Sequence, residues 1–354
     1  MASPENNRGA SGPGGAAERA DSPARRSGLA FRVLAGGFSL LVFAASIWFI
    51  ARTFQWGELA DVLRGVDVAF LVVGGGASIV AYWGLRTLRW HVLLRRTDTS
   101  VPFLDLYLCT AVSLSFSLFT PLQSGEAVKV ELLKKYGMIE RFPGYGSFLV
   151  ERALDMAVLV SMACVSLLAI VDILPNRTYA LAILGALVAV CSIGLVALAK
   201  LRLTGRPQVL LETMRQCVGD VPTLVAVTVI SCVSWASVAF SWQVFLYSAS
   251  IHISFAQAVA LMSIVALINI ASLIPGGLGV SEVGTSTMLM HFGFATAVSQ
   301  AGSLVLRCYS LVAIGLGAGH LGLWKLVRLR RDRRIRVVRA TAEPRAADAD
   351  STSG

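Results

Sequence analysis

One stretch decides the fold: Ile274-Pro275-Gly276-Gly277-Leu278-Gly279-Val280-Ser281-Glu282. It interrupts an apolar run at 255–274 that resumes at 280–293. Proline removes a helix donor and glycine loosens the backbone, so a helix must break here. The first half carries a counterpart, Thr120-Pro121-Leu122-Gln123-Ser124-Gly125-Glu126. It ends the apolar run at 104–120 and leads into the more polar 125–135. Pro121 and Pro275 lie 154 residues apart. Moved by that offset, the first-half runs 31–51, 68–94, 104–120 and 147–171 fall on 185–205, 222–248, 258–274 and 301–325. The second-half runs themselves are 179–199, 222–248, 255–274 and 297–324. Arg152 falls beside Arg307. Broken segments at matching positions of two halves point to a transporter-type site at the bilayer midplane. The sequence therefore predicts an all-α polytopic membrane protein. It predicts two inverted repeats, about 31–171 and 179–324, each with a Pro/Gly-broken re-entrant hairpin.

Composition agrees with this class. Of 354 residues, 55% are hydrophobic and only 15% are charged, with mean hydropathy +0.69. Soluble domains carry about 25% charged residues. A disordered chain, a disulfide scaffold and an ordinary soluble enzyme are excluded. The six cysteines and four histidines are dispersed, with no CxxC and no HExxH, so neither a metal site nor a cofactor is expected. P-loop, dinucleotide and nucleophile-elbow motifs are absent as well.

Lysines and arginines set the expected sidedness. With Arg25, Arg26 and Arg32 on the cytoplasmic side, two crossings return the chain at Arg95 and Arg96. A hairpin over 104–136 keeps Lys134, Lys135 and Arg141 on that side. Two further crossings place Lys200, Arg202, Arg206 and Arg215 there too. The last run then delivers the basic tail to the same face. A lone crossing at 104–120 would put Lys134, Lys135 and Arg141 outside, so the hairpin is preferred. Residues 1–28 read as a disordered cytoplasmic tail, 29–324 as the membrane domain and 325–354 as a basic cytoplasmic tail. Much of the net charge of +10 lies in that tail and fits anionic lipid, not nucleic acid, since no nucleic-acid motif accompanies it.

A charge at mid-membrane costs about 2.5–3.5 kcal/mol on insertion scales. Arg86, Arg89, Glu126, Glu151, Arg152, Asp155, Glu282 and Arg307 all lie in or beside apolar runs. They are the expected lipid-binding and transport residues. Each has two open readings. Glu151, Arg152 and Asp155 share a helix face, as an ion-pair lock or as a cavity where Arg152 meets a phosphate. Glu126 and Glu282 follow the breaks, as carboxylates at helix starts or as partners of Arg152 and Arg307 that gate or couple. The hairpin breaks at Pro121, Gly125, Pro275, Gly276, Gly277 and Gly279 expose backbone N–H groups, a further candidate for anionic head groups. Arg86 and Arg89 either snorkel to the interface beside Trp90 or clamp a phosphate at the cavity mouth. Gly74, Gly75, Gly76, Gly315, Gly317 and Gly319 read as close helix packing, and for Asn269 a hydrogen bond to the second break and a merely structural place are equally open.

These residues resemble a known family. Arg86-Thr-Leu-Arg89-Trp90-His-Val-Leu-Leu, Thr120-Pro121 with Gly125-Glu126, Glu151-Arg152-Ala-Leu-Asp155, and Leu273-Ile-Pro275-Gly-Gly-Leu-Gly279-Val-Ser-Glu282 with Arg307 look like the transmembrane region of lysylphosphatidylglycerol synthases. The same region occurs in stand-alone flippase-like membrane proteins. The likeness runs from about Phe31 to Trp324. It implies a multi-pass protein of the bacterial inner membrane, both termini cytoplasmic, that moves or handles a lipid with a polar head group. In the synthases a cytosolic domain transfers lysine to phosphatidylglycerol. Here the chain runs about 30 residues past the last apolar run, so lysyl transfer is not expected. The expectation is a non-enzymatic lipid translocase for an anionic phospholipid or lipid-linked sugar. The alternatives are an accessory subunit serving an envelope-lipid enzyme, or a membrane-embedded lipid transferase. A homo-oligomer is compatible with each.

Overall fold

The computed structural model describes residues 54–97, 99–118, 120–169, 204–272 and 274–351, with 48 and 50–52. The expected tail 1–28, most of the run 31–51 and the whole run 179–199 lie outside the described residues. What is described is all-helical. An amphipathic α1 (Trp56–Arg64) precedes α2 (Val68–Leu94), α3 (Phe103–Ser117), a first break in 3-10 conformation (Pro121–Ala127), α4 (Val128–Lys135) and α5 (Arg141–Ala169). After the undescribed stretch come α6 (Arg206–Gly219), α7 (Val221–Tyr247), α8 (Phe255–Ser272), a second break (Pro275–Gly277), α9 (Val280–His291) and α10 (Thr296–Ser351).

Among the described residues, four segments are long and apolar enough to cross a membrane: Val68–Thr97, Val221–Tyr247, Phe255–Ser272 and Thr296–Leu329. The chain is a multi-spanning membrane protein. The helix bounds follow the hydropathy closely, and local chemistry explains them. The Asp67 carboxylate caps α2 by accepting from the Phe70 amide at 2.9 Å. Asp220 caps α7 through the Thr223 amide at 3.0 Å, with Pro222 in the first turn. Hydrogen bonds from Thr223 hold the Asp220 carboxyl below the usual range. α4 ends at Gly137, whose φ of +66° lets the Met138 amide reach back to the Leu133 carbonyl at 3.0 Å.

The packing is that of a protein in lipid. On α7 the outward stripe is Val221, Val225, Val229, Val233 and Phe240, while Ser231, Ser234 and Ser241 are buried. Small polar residues inside let helices approach closely and satisfy one another. α2 packs along α7, with Gly75 pressed beneath the Phe245 ring. α10 packs against α3, where Gly317 meets Ser115, whose hydroxyl donates to the Ala313 carbonyl at 3.0 Å. The packing expectation thus holds for Gly75 and Gly317. No described neighbour would meet a side chain at Gly315 or Gly319. Two helices escaped hydropathy: α1 and α6 are amphipathic, too polar to read as spans.

Candidate functional site

α2 and α5 bring the first set of charges together. Arg86 and Arg89 are three residues apart and share one face of α2. Glu151, Arg152 and Asp155 lie on α5. Asp155 is the hub. It receives Arg86 at 2.6 Å, Arg89 at 2.5 Å and Arg152 at 2.5 Å, and the Trp235 indole donates to it at 3.2 Å. Arg89 also reaches Glu151 through two nitrogens, at 3.2 and 3.1 Å, and Ser231 at 2.8 Å. Glu126, at the end of the first break, joins Arg86 at 2.6 Å and Arg152 at 2.7 Å.

The snorkelling reading of Arg86 and Arg89 is therefore replaced. Both guanidiniums are fully buried among carboxylates. Trp90 is no belt anchor either: it is buried, and its indole donates to Ser147 at 3.0 Å.

Lys129 was missed by the sequence. It lies buried against Glu151, 4.2 Å from the centre of the Trp90 ring. The signal was present: Glu126, Lys129, Val130 and Leu133 follow the i, i+3, i+4, i+7 spacing of one helix face, and all are buried. Lys129→Met is expected to destabilise the protein by about 1–3 kcal/mol, less than loss of Asp155, because Glu151 keeps Arg89. Thermal unfolding in detergent checks it.

The second set is smaller. Arg307 on α10 reaches Glu282 at 2.5 Å and donates to the Gly276 carbonyl at 2.8 Å. The other Glu282 oxygen accepts from the Gly279 amide at 2.7 Å. One carboxylate thus holds both the start of α9 and the arginine. Some amides at the breaks are occupied internally: Gly125 donates to Thr120 Oγ1 at 2.7 Å and Gly277 to the Ile274 carbonyl at 3.0 Å.

The two breaks touch each other. Gly276 has φ +64°, and a Cβ there would meet the Leu118 carbonyl at 2.9 Å. Gly277 has φ +59° and lies directly against the Asn269 carboxamide. Only glycine fits both the backbone and the space. Asn269 Oδ1 accepts no hydrogen bond, so a bond to the second break through that oxygen is not made.

Between the breaks is a cavity of about 170 Å³. Its polar wall includes Gln123 and Glu126 from the first break, Gly276 and Gly277 from the second, with Asn269 and Arg307. Its apolar wall combines five aromatics, Tyr82, Trp83, Trp235, Trp242 and Tyr309, with aliphatic side chains. Among the described residues no group of His, Cys, Asp and Glu is arranged to hold a metal ion.

All eight charged residues singled out in the sequence thus fall in two networks, six in the first and two in the second. The cavity wall takes Glu126 from one network and Arg307 from the other. A family model described as the lysylphosphatidylglycerol synthase TM region matches residues 37–318. No curated protein matches the chain.

Proposed function

The chain belongs to the lysylphosphatidylglycerol synthase TM-region family, and from that premise we propose that it handles a membrane lipid whose anionic head group enters the cavity between the two breaks. One observation carries the reading: the two helix breaks meet at a polar, aromatic-lined space inside a membrane protein. Charges buried within membrane-spanning segments are rare and mark substrate paths or relays when present. Arg152 and Arg307 bind the phosphate, since a planar guanidinium fork matches its oxygens. Glu126 and Glu282 hold those arginines until the head group arrives. Arg86 and Arg89 fix the carboxylates in place.

The paired breaks support movement of the lipid across the bilayer. In this proposal the halves 31–171 and 179–324 are inverted repeats, each break turning a re-entrant hairpin, with both termini and every strongly basic loop on the cytoplasmic side. A second reading has its own support. The cavity is smaller than the about 300–1,000 Å³ of a typical ligand site, and both charged residues on its wall are paired. A protein that holds a head group for a partner enzyme of an envelope-lipid or glycolipid pathway needs no wider path.

Proteoliposomes holding fluorescent anionic or glycosylated lipids test this. For a translocase, an added quencher extinguishes both leaflets faster than in protein-free liposomes. Unchanged rates with lipid still retained on the purified protein favour the holding role. Unchanged rates with no retained lipid contradict both.

A further inference from the structure

The buried carboxylates Glu126, Glu151, Asp155 and Glu282 each already meet an arginine or a lysine, so none takes up a proton without losing its pair. Histidine is the side chain whose ordinary charge change falls between about pH 5 and 8. Three of the four histidines meet rings that do not line the cavity: His91 meets Phe103, His252 meets Tyr247 and His291 meets Phe292. His320, on α10, is different. Its ring stands nearly perpendicular to that of Trp83, 5.2 Å between centres, and Trp83 lines the cavity.

The hydrogen bonds of His320 define one open proton position. Nδ1 lies 2.7 Å from the Leu316 carbonyl, which only accepts, so Nδ1 carries a hydrogen. Nε2 lies 3.1 Å from the Tyr107 hydroxyl, which donates to it when the ring is neutral. A second proton goes to Nε2, and the hydroxyl turns from donor to acceptor. The Trp83 and Tyr107 rings, at 5.2 and 5.4 Å, then stand beside a cation, which aromatic rings attract. His320 is half-buried, so a proton reaches it without unfolding the bundle.

A charge gained here is an added cation, since among the described residues no carboxylate pairs with His320. α7 packs on α10 without a charged residue. α2 brings Arg86, bonded to Glu126 and Asp155. α3 brings Asp105 besides Tyr107, and Asp105 lies 3.5 Å from Arg328. α10 itself carries Lys325 and Arg328, and Tyr136, after α4, lies against Trp324. α1 and α9 meet α10 nearer its start, where Gln55 bonds Gln300 and Glu282 meets Arg307. Their other titratable groups are Glu58, Asp61, Arg64 and His291. Ala313, on the cavity wall, stands seven residues before His320. That is about 10 Å along the helix. Across that distance inside the bundle, a cation favours an anion in the cavity.

We propose that His320 is a proton-binding site coupled to the cavity through Trp83, so that a proton on Nε2 and an anion between the breaks each strengthen the other's hold. The anion half rests on the reading above, and the proton is the new ligand. Coupling between two sites is reciprocal, so it can be read from either end.

The purified full-length chain in detergent, carrying fluorinated tryptophan, is titrated from about pH 5 to 8 by fluorine NMR without added lipid. Trp83→Phe assigns the Trp83 signal. That signal should move in a single step, and in His320→Gln it should stay still. A signal that stays still in the wild type, or moves as far in His320→Gln, overturns the proton site whatever the cavity holds. If His320→Gln does not fold, Tyr107→Phe carries this arm: loss of the hydroxyl should displace the midpoint of the step, and an unmoved midpoint overturns the site. The second arm measures retention of radiolabelled phosphatidylglycerol at the two ends of the range. The expected result is about fivefold more lipid at the acid end in the wild type and equal amounts in His320→Gln. Equal retention in a wild type whose Trp83 signal moves overturns the coupling alone. No retention at any pH takes the proposed function and the coupling with it, while the Trp83 signal still decides the proton site.

Discussion

Asp155→Asn should cost the protein about 3–5 kcal/mol, a large part of the about 5–15 kcal/mol that holds a typical fold together. Three guanidiniums and an indole converge on this carboxylate, which is fully buried. Asparagine keeps the shape but not the charge, and it offers one acceptor oxygen where two were used. The cations of the first network then outnumber its acids further, in a region where water cannot help. Cys109 and Cys217 are free and buried, so once the exposed Cys232 is replaced by serine a thiol-reactive dye reports unfolding. The expected trace shows dye uptake at a clearly lower temperature than wild type. An unchanged midpoint would show that the network contributes little to the fold.

The second large effect separates structure from function at Arg307. Arg307→Leu strands the Glu282 carboxylate, 5% exposed, and removes the donor from the Gly276 carbonyl. Loss of one partner of a buried pair destabilises by about 3–5 kcal/mol. Replacing both partners with leucine is often neutral, since the desolvation of two charges disappears with them. The double variant Glu282→Leu with Arg307→Leu should therefore recover most of the lost stability but none of the lipid retention. Recovery of both would reduce the pair to a structural lock. Recovery of neither would show that the second break needs the carboxylate at the Gly279 amide more than it needs charge balance.

Much of this architecture is legible in the chain because membrane physics leaves few choices. The run read at 68–94 is α2, and 222–248 is α7 displaced by one residue. Pro121 and Pro275 stand where α-helix gives way to 3-10 turns, since a missing donor and flexible glycine leave little alternative. Arg152 and Asp155 could be paired in advance because they stand three residues apart on one helix, while Glu151 shares that helix but pairs elsewhere. Their partners could not. The sequence gives no direct sign that Arg86 on α2 meets Asp155 on α5, 69 residues later. Arg86, Arg89 and Trp90 look interfacial because they end a span, a pattern equally suited to snorkelling and to burial. Lys129 hid in a polar stretch beside the exposed Lys134 and Lys135. A bond from Asn269 to the second break is one reading of the sequence, yet its oxygen only abuts Gly277. Such contacts depend on how helices distant in sequence are brought side by side, which periodicity does not encode.

The central claim is that a lipid head group occupies the space between the two breaks. Photo-crosslinking tests it most directly, using an anionic phospholipid with a diazirine in its head group and mapping the labelled peptides by mass spectrometry. The account predicts label on the cavity wall, at Tyr82, Gln123, Trp242 and Ser281, and its loss in Arg152→Gln. Label confined to the outward stripe of Val225, Val229 and Phe240 on α7, unchanged in that variant, would contradict it.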